Sequence, residues 1–328
     1  GVWHLKESPT GGAGEIKDST SNANHGTTSG AMDSNDHVAG KIGWSLDFDG
    51  SDDYVQAPDY DILNAITISA WIKWDAVTAD DGIVSKRTAN EVLGDWALRL
   101  DSSGTGLLEW MLWSGVDTSQ SLLSVSAISP GAWSHVVLTF DDPTNTAKIY
   151  INGVLDNTTT SMTNSLADTP EPIRIGWSGQ GSQYFDGLID EVRISNVARD
   201  ACWIGTSYTN QSSPLASYTI EGEEFDYKYR KQITIKDSMT PTACNSTGDL
   251  TNFPVLISLY QPWLKTKTAD PANGCIENAS GYDIIFKAQD GETKLDHEIE
   301  KYDGTTGTLV AWVRIPTLKY NADTIIYM

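Results

Sequence analysis

Asp186, Asp190 and Glu191 stand close together in YFDGLIDEVRISN (184–196), a segment otherwise patterned like a strand entering a core. Carboxylates so placed suggest glycosidic bond cleavage, a metal site, or a turn followed by a solvated face. Retaining glycosidases need an acid and a nucleophile about 5–5.5 Å apart. On a strand, residues i and i+2 share a face at roughly 6.5–7 Å. Asp186 and Asp190 share a parity, but the same-face position between them is the apolar Leu188. Asp186 precedes a glycine in a turn-like pair, and Glu191 has the opposite parity, which predicts a solvated side chain near Arg193. The segment does not read as catalytic.

LDHEIE (295–300) fits better by spacing: Asp296, Glu298 and Glu300 alternate with Leu295, His297 and Ile299. A half-exposed strand has the same alternation, so a solvated acidic face is expected. There is no GxSxG, HExxH, phosphate loop or dinucleotide fingerprint, and the five His are scattered. Catalytic residues are therefore none.

Calcium takes six to eight oxygens from carboxylates, amides, carbonyls and water. DSTSNANHG (18–26) supplies Asp18, Asn22 and Asn24, with Asp49 a weaker candidate. His25 is a poor ligand for so hard a cation. The alternative is that these Asp and Asn residues cap turns through their own backbone. Asp52 and Asp53 in GSDDY, and Asp80 and Asp81 in TADDG, are loop carboxylates able to take a second ion or a ligand, or simply solvated.

Sugar sites need flat aromatic rings beside polar side chains. Trp74 shares an apolar face with Ile66, Ile68, Ala70 and Ile72, so it reads as core. Trp113 lies with Glu109 and Met111, and Trp177 sits in the loop-like IGWSGQG near Tyr184. Trp113, Trp177 and Tyr184 are the candidate ligand-binding rings; ordinary packing is the competing role.

The elements that must position these groups are short strands between turn signals. Two flank Gly50 in SLDFDGSDDYVQA, and AITISAWIKWD (65–75) alternates cleanly. Hairpins are expected at 96–115, turning at Asp101–Gly106, and at 132–156, with NG at 152–153 as a tight turn. PIRIGWSG and LIDEVRIS complete this set, and 198–211 is the helix candidate. FDG occurs twice, at 48–50 and 185–187. Further strands are expected at 227–236, 253–259, 282–289, 294–303, 308–316 and 323–328, without interleaved helices, which means a second sandwich.

The chain has 328 residues, 12 Trp, 28 Gly and a net charge of −22. Residues 1–226 hold 11 basic against 32 acidic residues, a net of −21; residues 227–328 hold 11 against 12, a net of −1. That break marks a boundary near 211–226. The acidity argues against nucleic acid or anionic membrane as partners and favours divalent cations. No apolar run is long enough for a membrane span. The chain reads as a segment of a longer protein, starting without a native Met and stopping inside a strand.

Cys244 and Cys275 lie in polar loops of one domain and are expected to form a disulfide, leaving Cys202 single; two free thiols are the alternative. Sequons stand at Asn157, Asn210, Asn245 and Asn278, to be glycosylated only if the host permits.

In order, DSTSNANHG, GKIGWSLDFDGSDDYVQ, TISAWIKW, WSHVVLTFD, IYINGV and FDGLIDEVRISNVAR resemble a laminin-G-like, concanavalin A-like lectin/glucanase domain over residues 1–210. A linker at 211–226 would lead to residues 227–328. There YRKQITI, TNFPVLISL, DGETKLDHEIEKYD, TGTLVAWVRIPTL and DTIIYM are similar to an uncharacterised β-sandwich domain of prokaryotic surface proteins, here truncated at its C-terminus. The resemblance implies an all-β chain: a concanavalin A-like jelly-roll sandwich followed by a second, smaller β-sandwich. It also implies that the Asp18 loop meets the last strand, so that Asp18, Asn22 and Asp190 hold a structural calcium. The superfamily's hydrolases carry an E-x-D-x-x-E-like strand, which is missing here. The implied role is non-catalytic recognition of glycan or surface protein at a cell surface. The alternatives are a structural subunit of an extracellular filament or surface layer, or an accessory region of a larger glycoside hydrolase.

Overall fold

The structure is a computed structural model that describes residues 1–76, 80–87, 92–223 and 230–328. It divides into two units, Gly1–Arg199 and Asp200–Met328. The first is a sandwich of two antiparallel sheets. The eight-stranded sheet runs Val154–Thr159, Thr146–Ile151, Ser134–Asp141, Ala65–Ala76, Asp186–Ser195, Trp44–Asp49, His37–Ala39, with Val2–Trp3 also pairing Asp186–Ser195. The seven-stranded sheet runs Thr118–Leu123, Leu108–Gly115, Trp96–Leu100, Gly82–Lys86, Ile173–Ile175, Tyr54–Ala57, Thr27–Ser29. Consecutive hairpin strands alternate with neighbours distant in sequence, and this jelly-roll order sets the unit's first strand, Val2–Trp3, against its last, Asp186–Ser195.

The two-residue periodicity works as expected. Ile66, Ile68, Ala70, Ile72 and Trp74 enter the core with Leu98, Trp110, Val136 and Leu138. Both expected hairpins form, and Asn152 and Gly153 both take positive φ (49° and 77°), as a tight turn matched to strand twist demands. The two FDG copies meet. Asp186 pairs with Asp49 and Gly187 with Phe48, while Phe48 and Phe185 pack edge to face at 6.5 Å. Gly187 is obligatory, since a Cβ there would lie 2.3 Å from the Lys73 carbonyl oxygen.

The second unit is a smaller β-sandwich with a four-stranded sheet and a three-stranded sheet among the described residues. The four-stranded sheet orders Tyr218–Glu223, Lys231–Ile235, Thr324–Tyr327 and Lys287–Ala288; the other orders Leu250–Tyr260, Thr308–Leu318 and His297–Asp303. A helix, Ala201–Ser212, opens this unit, with the Asp200 carboxylate accepting from Trp203 N at 2.8 Å as its N-cap.

Four expectations for this unit change. Segment 211–226 is not simply a linker: the helix runs to Ser212 and Tyr218–Glu223 pairs with Lys231–Ile235, while 224–226 lie outside the described residues, as do 227–229 of the strand expected from 227. Segment 282–289 keeps only two strand residues, Lys287–Ala288. Upstream, the Asp283 carboxylate accepts from Glu277 N and Asn278 N and holds the chain in a turn. The disulfide joins Cys202 to Cys244, with Cα atoms 4.7 Å apart, not Cys244 to Cys275. The helix puts Cys202 in the same buried cluster as Cys244, whereas Cys275 sits in a separate, half-exposed loop. Asn210 is also buried, its amide bonded to both the N–H and the carbonyl of Leu256, so this sequon cannot carry a glycan.

Candidate functional site

The strand that carries Asp190 and Glu191 is irregular where it matters. Asp190 pairs with Trp71 and Arg193 with Ser69, so three steps on one strand match two on its neighbour. This β-bulge puts Glu191 at φ 54°, the left-handed region a non-glycine residue avoids. Side-chain alternation breaks, and both acids turn inward, Asp190 at 0% and Glu191 at 2% exposure. Glu191 is thus not solvated. It meets His4 Nδ1 at 2.7 Å and Arg193 at 2.8 Å. Burial pushes its carboxyl up, but His4 and Arg193 outweigh that and hold it below the ordinary carboxylate range. The group acts as a structural clamp for the N-terminal strand.

Asp18 and Asp190 do not assemble into the expected calcium site. Asp18 accepts from Val2 N, Thr20 N and Thr20 Oγ1 (each 2.9 Å) and from Asn24 N (3.0 Å). A carboxylate has about four lone-pair sites, so these bonds use its capacity. Burial raises its pKa, and the bonds from Val2, Thr20 and Asn24 lower it further still, to a net value below normal. Its backbone N–H donates to His25 Nδ1. Asn22 is exposed, its backbone N–H turned to Thr20 Oγ1. Asp190 accepts from Ile42 N at 2.8 Å and sits against the Gly40–Lys41 backbone turn. The capping alternative describes the Asp18 loop, and its residues do not fit a resident metal.

Acidic side chains do converge elsewhere in this unit. Asp49, Asp52 and Asp53 place carboxylate oxygens within 4.8 Å of one another at the turn between Trp44–Asp49 and Tyr54–Ala57. Asp53 is 3% exposed. Burial, then the Asp49 charge, push its carboxyl up to about 6. Directly after it comes Tyr54, whose ring lies 5.1 Å from Trp177 and 6.3 Å from Tyr184. Trp177 and Tyr184 stack at 5.2 Å with planes 7° apart, joined by an isolated bridge between their backbones. All three rings are half-buried. The Arg174 guanidinium lies 5.1 Å from the Trp177 centroid, and Asp52 is close enough to Tyr184 to help burial raise its phenol pKa. So two of the expected ligand-binding rings come together, beside a third that sequence reading passed over. Tyr54 was legible only as an outward-facing neighbour of core residue Val55.

Trp113 does not join them. It is 3% exposed, with the Arg87 guanidinium 4.2 Å from its ring centroid. The parity reading was correct, since Glu109 on the same face is salt-bridged to Arg99 at 2.7 Å. That face is nonetheless covered: Trp113 exchanges backbone bonds with Gly94 and Asp95, and Arg87 also bonds Gln180 and Gln183. In the second unit, a bulge between Ile299 and Lys301 turns Glu300 inward and separates it from exposed Asp296, which pairs with Arg314. The acidic row expected there is not one face. The same unit holds a cavity of about 540 Å³ lined by Lys231, Trp263, Cys275, Lys287 and Tyr327 among others, which no sequence motif announced.

The first unit carries a concanavalin A-like lectin/glucanase domain. Residues 49–205 match the family model described as the concanavalin A-like lectin/glucanases superfamily. No curated protein matches the chain. Among solved structures, the chain is similar to domain 4 of AbnA, a GH43 extracellular arabinanase from Geobacillus stearothermophilus, in complex with arabinotriose. That likeness has 24% identity, 57% of this chain and 90% of that one covered, and a TM-score of 0.49. The binding domain of Paraclostridial Mosquitocidal Protein 1 matches at 17% identity over 79% of this chain and 62% of that one, TM-score 0.49. The CBM40 of the Ruminococcus gnavus IT-sialidase, bound to α2,3-sialyllactose, matches at 16% over 48% and 91%, TM-score 0.37. In the lectin-like domain, the aromatic cluster and the acidic turn lie at one end of the sandwich, where strands of both sheets finish.

Proposed function

We propose that the lectin-like domain binds glycan without cleaving it, at an extracellular surface, through the face formed by Tyr54, Trp177 and Tyr184. The observation that carries this reading is the half-exposed aromatic cluster, with the Arg174 guanidinium and the Asp52 carboxylate beside it. Rings of this kind cover the apolar face of a sugar while polar neighbours meet its hydroxyls. The family match to lectins and glucanases supports it.

The placement of the acids supports a binding rather than a hydrolytic role. A general acid must reach the glycosidic oxygen within hydrogen-bond distance. Asp53 has the raised pKa such an acid needs, but its carboxyl is shut from solvent. Glu191 is buried in its ion pairs. An extracellular setting suits the acidic charge and the Cys202–Cys244 disulfide. Among the described residues, no helix is long and apolar enough to cross a membrane.

Glycan-array screening of the full chain tests the proposal. Binding is expected, lost in Trp177→Ala and Tyr184→Ala and kept in Trp113→Ala, with no sugar released from the bound glycan. Binding that survives Trp177→Ala in a folded chain refutes the assigned face. Sugar release refutes the non-catalytic role. Absence of any glycan binding, together with ordered oligomers in negative-stain images, would favour the structural-subunit alternative instead.

A further inference from the structure

The cavity of about 540 Å³ in the second unit falls within the range of small-ligand sites, about 300–1,000 Å³. Its floor is apolar: Leu264 and Ile284 line it and are 0% and 4% exposed. Three cations line it as well, Arg230, Lys231 and Lys287. Two of them are held against ring faces. The Arg230 guanidinium lies 3.5 Å from the Tyr327 centroid, and the Lys231 ammonium 5.6 Å from that of Trp263. Gly291 leaves room for the first of these, since a Cβ there would come within 2.9 Å of the guanidinium. Lys287 is brought in by sheet register, as the cross-strand partner of Tyr327. Two acids line the same cavity, Glu277 and Asp283. Glu277 pairs with Lys267, and Asp283 Oδ2 accepts from Glu277 N and Asn278 N. Both carboxylates thus serve the loop that carries them. The wall holds more positive than negative groups, in a chain whose net charge is −22.

An apolar floor beside a cationic wall recognises a molecule with the same two halves. We propose that this cavity binds a small organic anion, a flat apolar body carrying a carboxylate or similar oxyanion. The body would cover Leu264, Ile284 and the Trp263 ring, and the anionic group would meet Arg230 and Lys287. Arginine offers a planar fork of donors to such a group, and charge-assisted bonds of this kind are stronger than neutral ones. Cys275, the cysteine outside the disulfide, also lines the cavity and can report its occupancy. The inference rests on the second unit alone and stands whether or not the aromatic face of the first unit binds glycan.

The test is a fluorescence titration of the full chain with anilinonaphthalene sulfonate, an aromatic anion that brightens when bound. Its uncharged analogue, phenylnaphthylamine, is the control. One saturable site per chain is expected for the anion. The neutral analogue should bind more weakly by about tenfold or more, the factor that one charge-assisted hydrogen bond supplies. Arg230→Gln and Lys287→Gln should each weaken the anion and leave the neutral analogue unmoved, which also shows that the cavity stays folded. Modifying Cys275 with N-ethylmaleimide in the folded wild type should weaken both probes, and bound anion should slow that modification. Should a variant lose both probes, the maleimide arm and the comparison of the two probes on the wild type decide. Absence of anion binding overturns the proposal, as does equal affinity for the two probes. So does anion binding that both variants, or the maleimide, leave unchanged.

Discussion

Replacing Glu191 separates two energies that the bulge combines. Its carboxylate is 2% exposed and lies between His4 at 2.7 Å and Arg193 at 2.8 Å. Removing one partner of a buried ion pair costs about 3–5 kcal/mol, because the remaining charge stays buried without its counterpart. Against this, the residue's φ of 54° costs a non-glycine side chain roughly 1–2 kcal/mol. Glu191→Ala loses the pair and keeps the strain, so a loss of about 3–5 kcal/mol is expected. Glu191→Gly also loses the pair but relieves the strain, so it should be about 1 kcal/mol more stable than the alanine variant. For a unit of this size each kcal/mol is about 2–4 °C, so alanine should lower the first unit's melting temperature by roughly 6–20 °C. Urea and thermal unfolding of the full chain, followed by tryptophan fluorescence and far-UV circular dichroism, measure both. A loss below about 1 kcal/mol in Glu191→Ala would show that the pair merely offsets its own desolvation. Glycine no better than alanine would show that the positive φ stores no strain.

Glu15 carries a pH prediction: burial would raise its carboxyl, but bonds from Thr28, Thr10 and Gly12 hold it down to about 2. A depressed carboxylate stabilises the fold above its unfolded value near 4.3 and loses that contribution as pH falls toward 2; allowing for its partial exposure this is about 1 kcal/mol. Glu15→Gln should therefore cost stability at pH 7 and almost none at pH 2, measured by urea midpoints at each pH; an equal loss at both would refute it. Thiol titration of the denatured, unreduced chain should find one reactive cysteine, Cys275, rising to three after reduction. Cys244→Ser should destabilise the second unit by about 4 kcal/mol, the entropy of opening a loop with a sequence separation of 42; retention of full stability would refute that pairing. In a glycosylating host, peptide mapping should find Asn210 unmodified, since its amide is bonded inside the fold.

Local pattern and family signature made the sandwich legible. Strict alternation in AITISAWIKWD put Trp74 in the core, and NG at 152–153 announced its hairpin. These are short-range properties, decided by a two-residue period and by which residues tolerate positive φ. Trp177 and Tyr184 were legible as loop aromatics, but their stacking was not, because it depends on a bridge across the loop and on Tyr54 arriving from another strand.

Glu191 and Glu300 depart from their sequence-based expectation for one physical reason. A single extra residue in a strand reverses every face after it. The bulge after Asp190 turned Glu191 into the interior, and the bulge at Ile299 did the same to Glu300. Neither inserted residue is marked by composition. Trp113 faces outward as alternation requires, yet a distant arginine and a neighbouring loop cover it. Cys202 finds Cys244 because the helix that opens the second unit packs into that unit's own core. Asp53 became a buried carboxylate because Gly30, far away in sequence, closes over it. The sequence by itself determined the all-β class, the strand faces and the chemistry available at each loop. Only the tertiary structure decided which carboxylates are sealed, which are paired and which lie together, because register and closure are set by contacts between segments distant along the chain.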